Sequence, residues 1–232
     1  SIELQQVSGI MLIKYLCGAG YYSESLEYYN KIKPEIAFNP SMQNEVVKSY
    51  MELNKPDSAR IYLATRLLSE RGDKIVLNCM MAETYIPEGQ EDSAFVFLDR
   101  AMKSYKEKAK NYQKQGREAI LPNCFLSPCY LFADLLWKKG KIQQASQYYM
   151  IVEPLMKERV KTPVRMELQI KALTNFSSFC RETKQYEKAL DLLARRDSVL
   201  QTYLEFKAKN DKKNYAERLK IQELKHELNE SE

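Results

Sequence analysis

Leu135-Leu-Trp-Lys-Lys-Gly-Lys-Ile-Gln-Gln-Ala145 sets a glycine, Gly140, five residues before a small residue, with a run of bulky apolar residues upstream of it. The same order recurs at Tyr50-Met-Glu-Leu-Asn-Lys-Pro-Asp-Ser-Ala59, where Asn54 takes the glycine position and Pro56 follows it. Working outward, the small residues Ser25, Ala59, Ala94, Ala145 and Ala189 each precede a bulky residue by four positions: Tyr29, Leu63, Leu98, Tyr149 and Leu193. Thirteen positions before them lie Leu12, Val46, Met81, Phe132 and Phe176. Nine before come Leu16, Tyr50, Tyr85, Leu136 and Cys180, and five before stand Gly20, Asn54, Gly89, Gly140 and Lys184, mostly turn-tolerant residues. Apolar steps of four and nine around a turn signal predict helix, short turn, helix in each unit. Two short antiparallel helices cannot hide their apolar faces alone, so each pair must stack on the next, and a small residue at the crossing lets them approach closely.

The first spacings, 59 − 25 = 34 and 94 − 59 = 35, match the ~34 residues of one repeat length. On these residues and spacings the chain resembles a tetratricopeptide-repeat protein over roughly residues 5–196. The resemblance implies an all-α fold: a right-handed α-solenoid of about five helix hairpins over 1–195, followed by a long C-terminal helix over 196–232. The later spacings, 145 − 94 = 51 and 189 − 145 = 44, predict lengthened second helices or longer connections in the third and fourth units.

Composition agrees with helices. Seven Gly and eight Pro are few for 232 residues, and no segment alternates as a sheet protein would. No stretch approaches the ~18 consecutive apolar residues needed to cross a bilayer. The chain opens at Ser1 without an initiator Met, which reads as a piece of a longer protein. Five Cys without Cys-x-x-Cys spacing, beside a single His, assemble no zinc set and read as small buried hydrophobes.

No catalytic device is expected. The only His, His226, lies near the C-terminus, far from any nucleophile, and the scattered Gly form no phosphate loop. No catalytic residue, metal or cofactor is assigned. Lys225-His-Glu-Leu228 is similar to the opening of a histidine-kinase phosphoacceptor box, but Asn229-Glu-Ser-Glu follows, so His226 reads as an exposed helix residue. The layout of repeats followed by a charged helix resembles the extracytoplasmic region of bacterial membrane-anchored signalling proteins. That resemblance implies a periplasmic sensor region of a histidine kinase or a DNA-binding regulator, with a cytoplasmic location as the alternative.

Binding is the expected function, through the concave wall that first helices line in such arrays. By resemblance to the family, positions 7, 8, 11 and 15 before each small residue face that wall: Lys14, Lys48, Met51, Glu83, Tyr130, Asp134, Trp137, Lys138, Thr174 and Arg181. Tyr130, Trp137 and Arg181 are the expected anchors, since aromatic and Arg side chains dominate interfaces. Lys14 and Lys48 loosely fit the family's carboxylate clamp without its Asn residues, and Glu83 and Asp134 oppose it, so a mixed-charge protein segment is the expected ligand. The alternative is nucleic acid on the basic helix 103–117, where five Lys and one Arg against one Glu interleave with Tyr105 and Tyr112. The segment from Arg196 carries Val199, Leu200, Tyr203, Leu204 and Phe206, expected to cap the last repeat. Tyr215, Leu219, Ile221, Leu224 and Leu228 then form a short coiled-coil stripe, expected at most to give a weak homodimer.

Overall fold

A computed structural model describes residues 2–36, 42–69 and 73–230, with side chains over 9–32, 42–69 and 73–209. Ten α-helices and no strand occur among the described residues: α1 (Ile2–Gly18), α2 (Tyr22–Ile36), α3 (Gln43–Glu52), α4 (Pro56–Leu68), α5 (Lys74–Tyr85), α6 (Glu91–Lys114), α7 (Leu126–Lys138), α8 (Ile142–Lys157), α9 (Pro163–Glu182) and α10 (Tyr186–Glu230). The expected all-α fold of paired helices stands. The chain forms two compact units, Ser1–Tyr148 and Tyr149–Glu232, the division falling within α8.

The repeat register is written in backbone hydrogen bonds. All five residues at the turn position have positive φ: Gly20 (87°), Asn54 (54°), Gly89 (67°), Gly140 (76°) and Lys184 (61°). This left-handed residue lets the next N–H bond to the carbonyl five residues back, the C-terminal cap known as the Schellman motif. The bonds are Tyr21 N to Leu16 O (2.9 Å), Lys55 N to Tyr50 O (2.9 Å), Gln90 N to Tyr85 O (3.2 Å), Lys141 N to Leu136 O (2.9 Å) and Gln185 N to Cys180 O (2.8 Å). The same capping residue then accepts, through its own carbonyl, from the small residue four positions on, as in Ala145 N to Lys141 O at 3.0 Å and Ala189 N to Gln185 O at 3.0 Å. One residue thus closes the first helix and opens the second, and the turn-to-small-residue spacing of five is fixed by local bonding.

Lys184 occupies this left-handed site with a side chain that disfavours it. Replacing it with glycine, Lys184→Gly, is expected to raise stability by about 0.5–1 kcal/mol, the relief of left-handed strain exceeding glycine's entropy cost. A urea unfolding midpoint that is unchanged or lower for the variant would contradict this reading of the turn.

Small residues at the crossings are buried: Ser25 at 1 % exposure, Ala59, Ala94 and Ala145 at 0 %, and Ala189 at 5 %. In the first unit, Ile13, Leu26, Tyr29, Met42 and Val46 form one core cluster, and Val47, Ala59, Leu63, Leu77, Met80 and Met81 another. Arg60 ties α4 to α5: its guanidinium lies 4.2 Å from the Tyr85 ring centroid, donates to Thr84 O at 3.1 Å and pairs with Glu88. Glu91, at the start of α6, pairs with Lys139 at 3.0 Å and with Lys141; the Lys141 hydrogen bond leads in holding its carboxyl below the usual range.

Two positions depart from the sequence register. Leu12 is 38 % exposed whereas Ile13 is fully buried, because α1 carries Ile10, Met11, Leu12 and Ile13 in succession and periodicity alone cannot choose its inner face. In the last hairpin Leu192 is buried at 1 % while Leu193 is half-buried. The long third spacing comes from the 24-residue α6 and the connection after it, and the fourth from the 16-residue α8 with the 20-residue α9. Helix α8 passes through Pro154, which is exposed. The hydrogen bond that proline cannot donate would have ended on the carbonyl of Met150, itself an exposed residue, so water can replace it.

In the second unit, Tyr149 stacks on Phe176 with centroids 4.6 Å apart and planes 4° from parallel, and lies 5.1 Å from Phe179. Lys188 Nζ sits 4.7 Å from the Phe176 centroid and pairs with Glu153 at 2.9 Å. Helix α10 runs unbroken through residue 196, joining the second helix of the fifth hairpin to the C-terminal helix. Val199, Leu200 and Tyr203 are half-buried, with Tyr203 hydrogen-bonded to Glu167 of α9. Leu204 and Phe206 are 54 % and 36 % exposed and cover little. The stripe from Tyr215 to Leu228 and His226 lie outside the described side chains.

Candidate protein-binding surface

Helix α7 is placed by its approach. Pro122 precedes a single 3-10 turn, Asn123–Phe125, that leads directly into Leu126. Phe125 is fully buried and meets Tyr105 of α6 edge-on at 5.9 Å, while the Tyr105 hydroxyl donates to Ala119 O at 3.2 Å. These contacts hold the connection after α6 and bring α7 beside α5.

A group of polar side chains results where α5 meets α7. Glu83 is half-buried, accepts a hydrogen bond from Ser127, and forms no ion pair among the described residues. Burial pushes its carboxyl up to about 7, against a smaller lowering by Ser127. Tyr130 lies close enough to Asp134 and Glu83 that both raise its phenol, after burial, to about 12. Cys79, Cys124 and Cys129 adjoin the same carboxylate; Cys79 hydrogen-bonds Cys124, which raises Cys79 and lowers Cys124. All five cysteines are free thiols, four of them buried and Cys124 half-buried. No cluster of His, Cys, Asp or Glu able to hold a metal occurs among the described residues.

The other expected groove residues take varied positions. Lys14, Lys48, Lys138 and Arg181 are exposed, and Lys48 Nζ stands 5.9 Å from the Tyr22 ring centroid. Met51 is half-buried and packs on the core cluster of α3, α4 and α5. Thr174 donates to Ile170 O at 2.7 Å within its own helix, and Trp137 is half-buried with internal interactions. Tyr130 is only 4 % exposed. In the first unit the structure brings Glu83, Tyr130 and Asp134 together. Ser127 belongs with them, but it lies outside the counted repeat positions and carries no periodic signal. On the basic helix, Lys106, Lys108 and Lys110 are exposed, but Tyr105 is committed internally and Lys103 pairs with Asp99 at 2.7 Å.

The tetratricopeptide-repeat family model matches residues 126–150, the α7 turn α8 segment. The chain is similar to crystal structures of nearly identical TPR-like repeats of a putative kinesin light chain from Podosopora anserina. For a form of those repeats carrying a substitution the TM-score is 0.54 at 15 % identity, covering 87 % of this chain and 97 % of that one. For the form without it the TM-score is 0.52 at 16 % identity, covering 84 % and 95 %. No curated protein matches in sequence. The fold is therefore a TPR-like array of helix hairpins, a fold typical of protein–protein interaction modules. The matches bear on the repeats and do not extend to a bacterial sensor kinase.

Proposed function

We propose that the chain is a non-catalytic interaction module whose first-helix face in the unit Ser1–Tyr148 binds an extended protein segment of mixed charge. The observation that carries this reading is Glu83, a half-buried carboxylate with a hydroxyl partner but no cation among the described residues, beside Tyr130 and Asp134. Removing such a group from water without a counter-charge is costly, and a partner's Lys or Arg would relieve that cost. The position eleven before each of the first four small residues reads Lys14, Lys48, Glu83 and Asp134, basic on the first two hairpins and acidic on the next two. A segment with an acidic block followed by a basic block matches that order in one of its two orientations. Trp137 and Lys138 flank the acidic end, and Thr174 and Arg181 supply corresponding positions in the second unit. The resemblance in layout adds that such binding serves sensing within a larger signalling protein.

An array of immobilised decapeptides with varied charge blocks tests the reading. Retention is expected to be strongest on bipolar peptides, to fall at least tenfold for Glu83→Gln, and to fall again for Lys48→Glu. Binding at pH 7 should also release a proton from Glu83, seen as a calorimetric enthalpy that depends on the buffer's ionisation heat. Retention indifferent to both substitutions would sink the proposal.

A further inference from the structure

The connection from α8 to α9, together with α9 and α10, lines a half-open cavity of about 410 Å³ in the second unit, within the ~300–1,000 Å³ range of small-ligand sites. Met156, Val160, Met166 and Val199 give it an apolar wall, and Gln169 lines it from α9. Gln169 is 1 % exposed, and its Nε2 donates to Met156 O at 2.7 Å and Glu158 O at 3.0 Å. Both partners can only accept, so they fix which end of the amide is nitrogen. Its Oε1 is left buried with no hydrogen-bond partner. A buried acceptor without a donor is destabilising, and a ligand N–H would relieve it.

The charges around the cavity narrow the ligand further. Lys157 pairs with Glu153 at 3.2 Å, Arg195 with Asp191 at 2.9 Å, and Arg165 with Glu158 at 3.5 Å. Arg195 and Arg165 each face one carboxylate, whereas Lys157 shares Glu153 with Lys188 at 2.9 Å, so the surroundings are net basic, and Arg159 is the exposed guanidinium on the rim without an ion pair among the described residues. A planar guanidinium without a carboxylate of its own suits a ligand carboxylate. The first turn of α9 adds no acidic residue and has no side-chain cap.

We propose that this cavity binds an acylated α-amino acid: its N–H donates to Gln169 Oε1, its carboxylate meets Arg159, and its apolar side chain lies against Met156 and Met166. Such a group is either a free N-acylamino acid or the C-terminal residue of a peptide. The site shares no residue with the surface around Glu83, so failure of one leaves the other standing.

Titration of the whole chain with N-acetylleucine, followed by backbone amide NMR and calorimetry at pH 7, tests the site. Saturable binding is expected, with shifts confined to 156–169 and 195–202. N-acetylleucinamide, which lacks the carboxylate, and N-acetyl-N-methylleucine, which lacks the N–H, should each bind at least tenfold more weakly. Arg159→Glu should weaken N-acetylleucine at least tenfold while leaving the unfolding midpoint unchanged, since Arg159 is exposed. An acetylated tripeptide ending in leucine that binds more tightly than N-acetylleucine identifies a chain end as the source; equal or weaker binding identifies a free acylamino acid, and either result sustains the site. Absence of saturable binding, or equal binding of acid and amide, overturns it.

Discussion

Phe176→Ala is expected to destabilise the unit Tyr149–Glu232 by about 3–5 kcal/mol, the range for deleting a buried aromatic ring. The ring is 1 % exposed, stacks on Tyr149 at 4.6 Å, lies 6.4 Å from Phe179 and carries Lys188 over its face. Truncation removes the transfer free energy of the ring and leaves a void that two neighbouring aromatic rings cannot fill without leaving their rotamers. It also removes the stacking contribution, ~0.5–1.5 kcal/mol beyond area burial. Phe176→Leu keeps most of the volume and should lose less than half as much. Urea unfolding followed by circular dichroism measures both variants. A loss under ~1 kcal/mol for the alanine variant would mean that this cluster does not hold α8 to α9.

Glu83→Gln is expected to act in the opposite direction, and only above a certain pH. The folded chain holds Glu83 near pKa 7, while the unfolded chain ionises it near 4.5. Below pH 4.5 both states keep the proton and the residue makes no difference. As pH rises from 4.5 to 7 the unfolded state releases its proton first, so the folded state loses stability across that window. With 7 − 4.5 = 2.5 pH units at ~1.36 kcal/mol each, the loss reaches about 3 kcal/mol by about pH 8. Glutamine keeps a hydrogen bond for Ser127 without the charge, so the variant should be up to about 3 kcal/mol more stable at about pH 8 and equal to the parent at about pH 4. Cys124, Cys129, Tyr130 and Asp134 surround the site but remain unchanged in the variant, so the difference between the two pH profiles isolates Glu83. Parallel profiles would show that Glu83 is not held as described.

The two predictions differ in how much of them was legible in the chain. Phe176 was readable because it sits thirteen residues before Ala189, in the row occupied by Val46, Met81 and Phe132, and all four are buried at 3 % or less. Leu12, in the same row, was misplaced by one residue, since four consecutive bulky residues give a helix no unique inner face. The positions expected to face a groove form a row in the sequence, but their environments were not legible there. Met51 and Trp137 proved to be engaged internally, and Tyr130 is nearly closed. Glu83 became a candidate anchor through Ser127, 127 − 83 = 44 residues away, and no local pattern reports such a neighbour.

What the amino-acid order by itself determined is the succession of hairpins. A left-handed residue, a capping residue and a small residue lie within six positions, and the bonds joining them are short-range, so residue type alone carries the information. What only the tertiary structure decided is which polar groups lose their water. Glu83 without a cation and Gln169 Oε1 without a donor, among the described residues, owe their state to segments brought in from elsewhere in the chain. Desolvation depends on everything packed around a group, and helical periodicity encodes only one side of that environment.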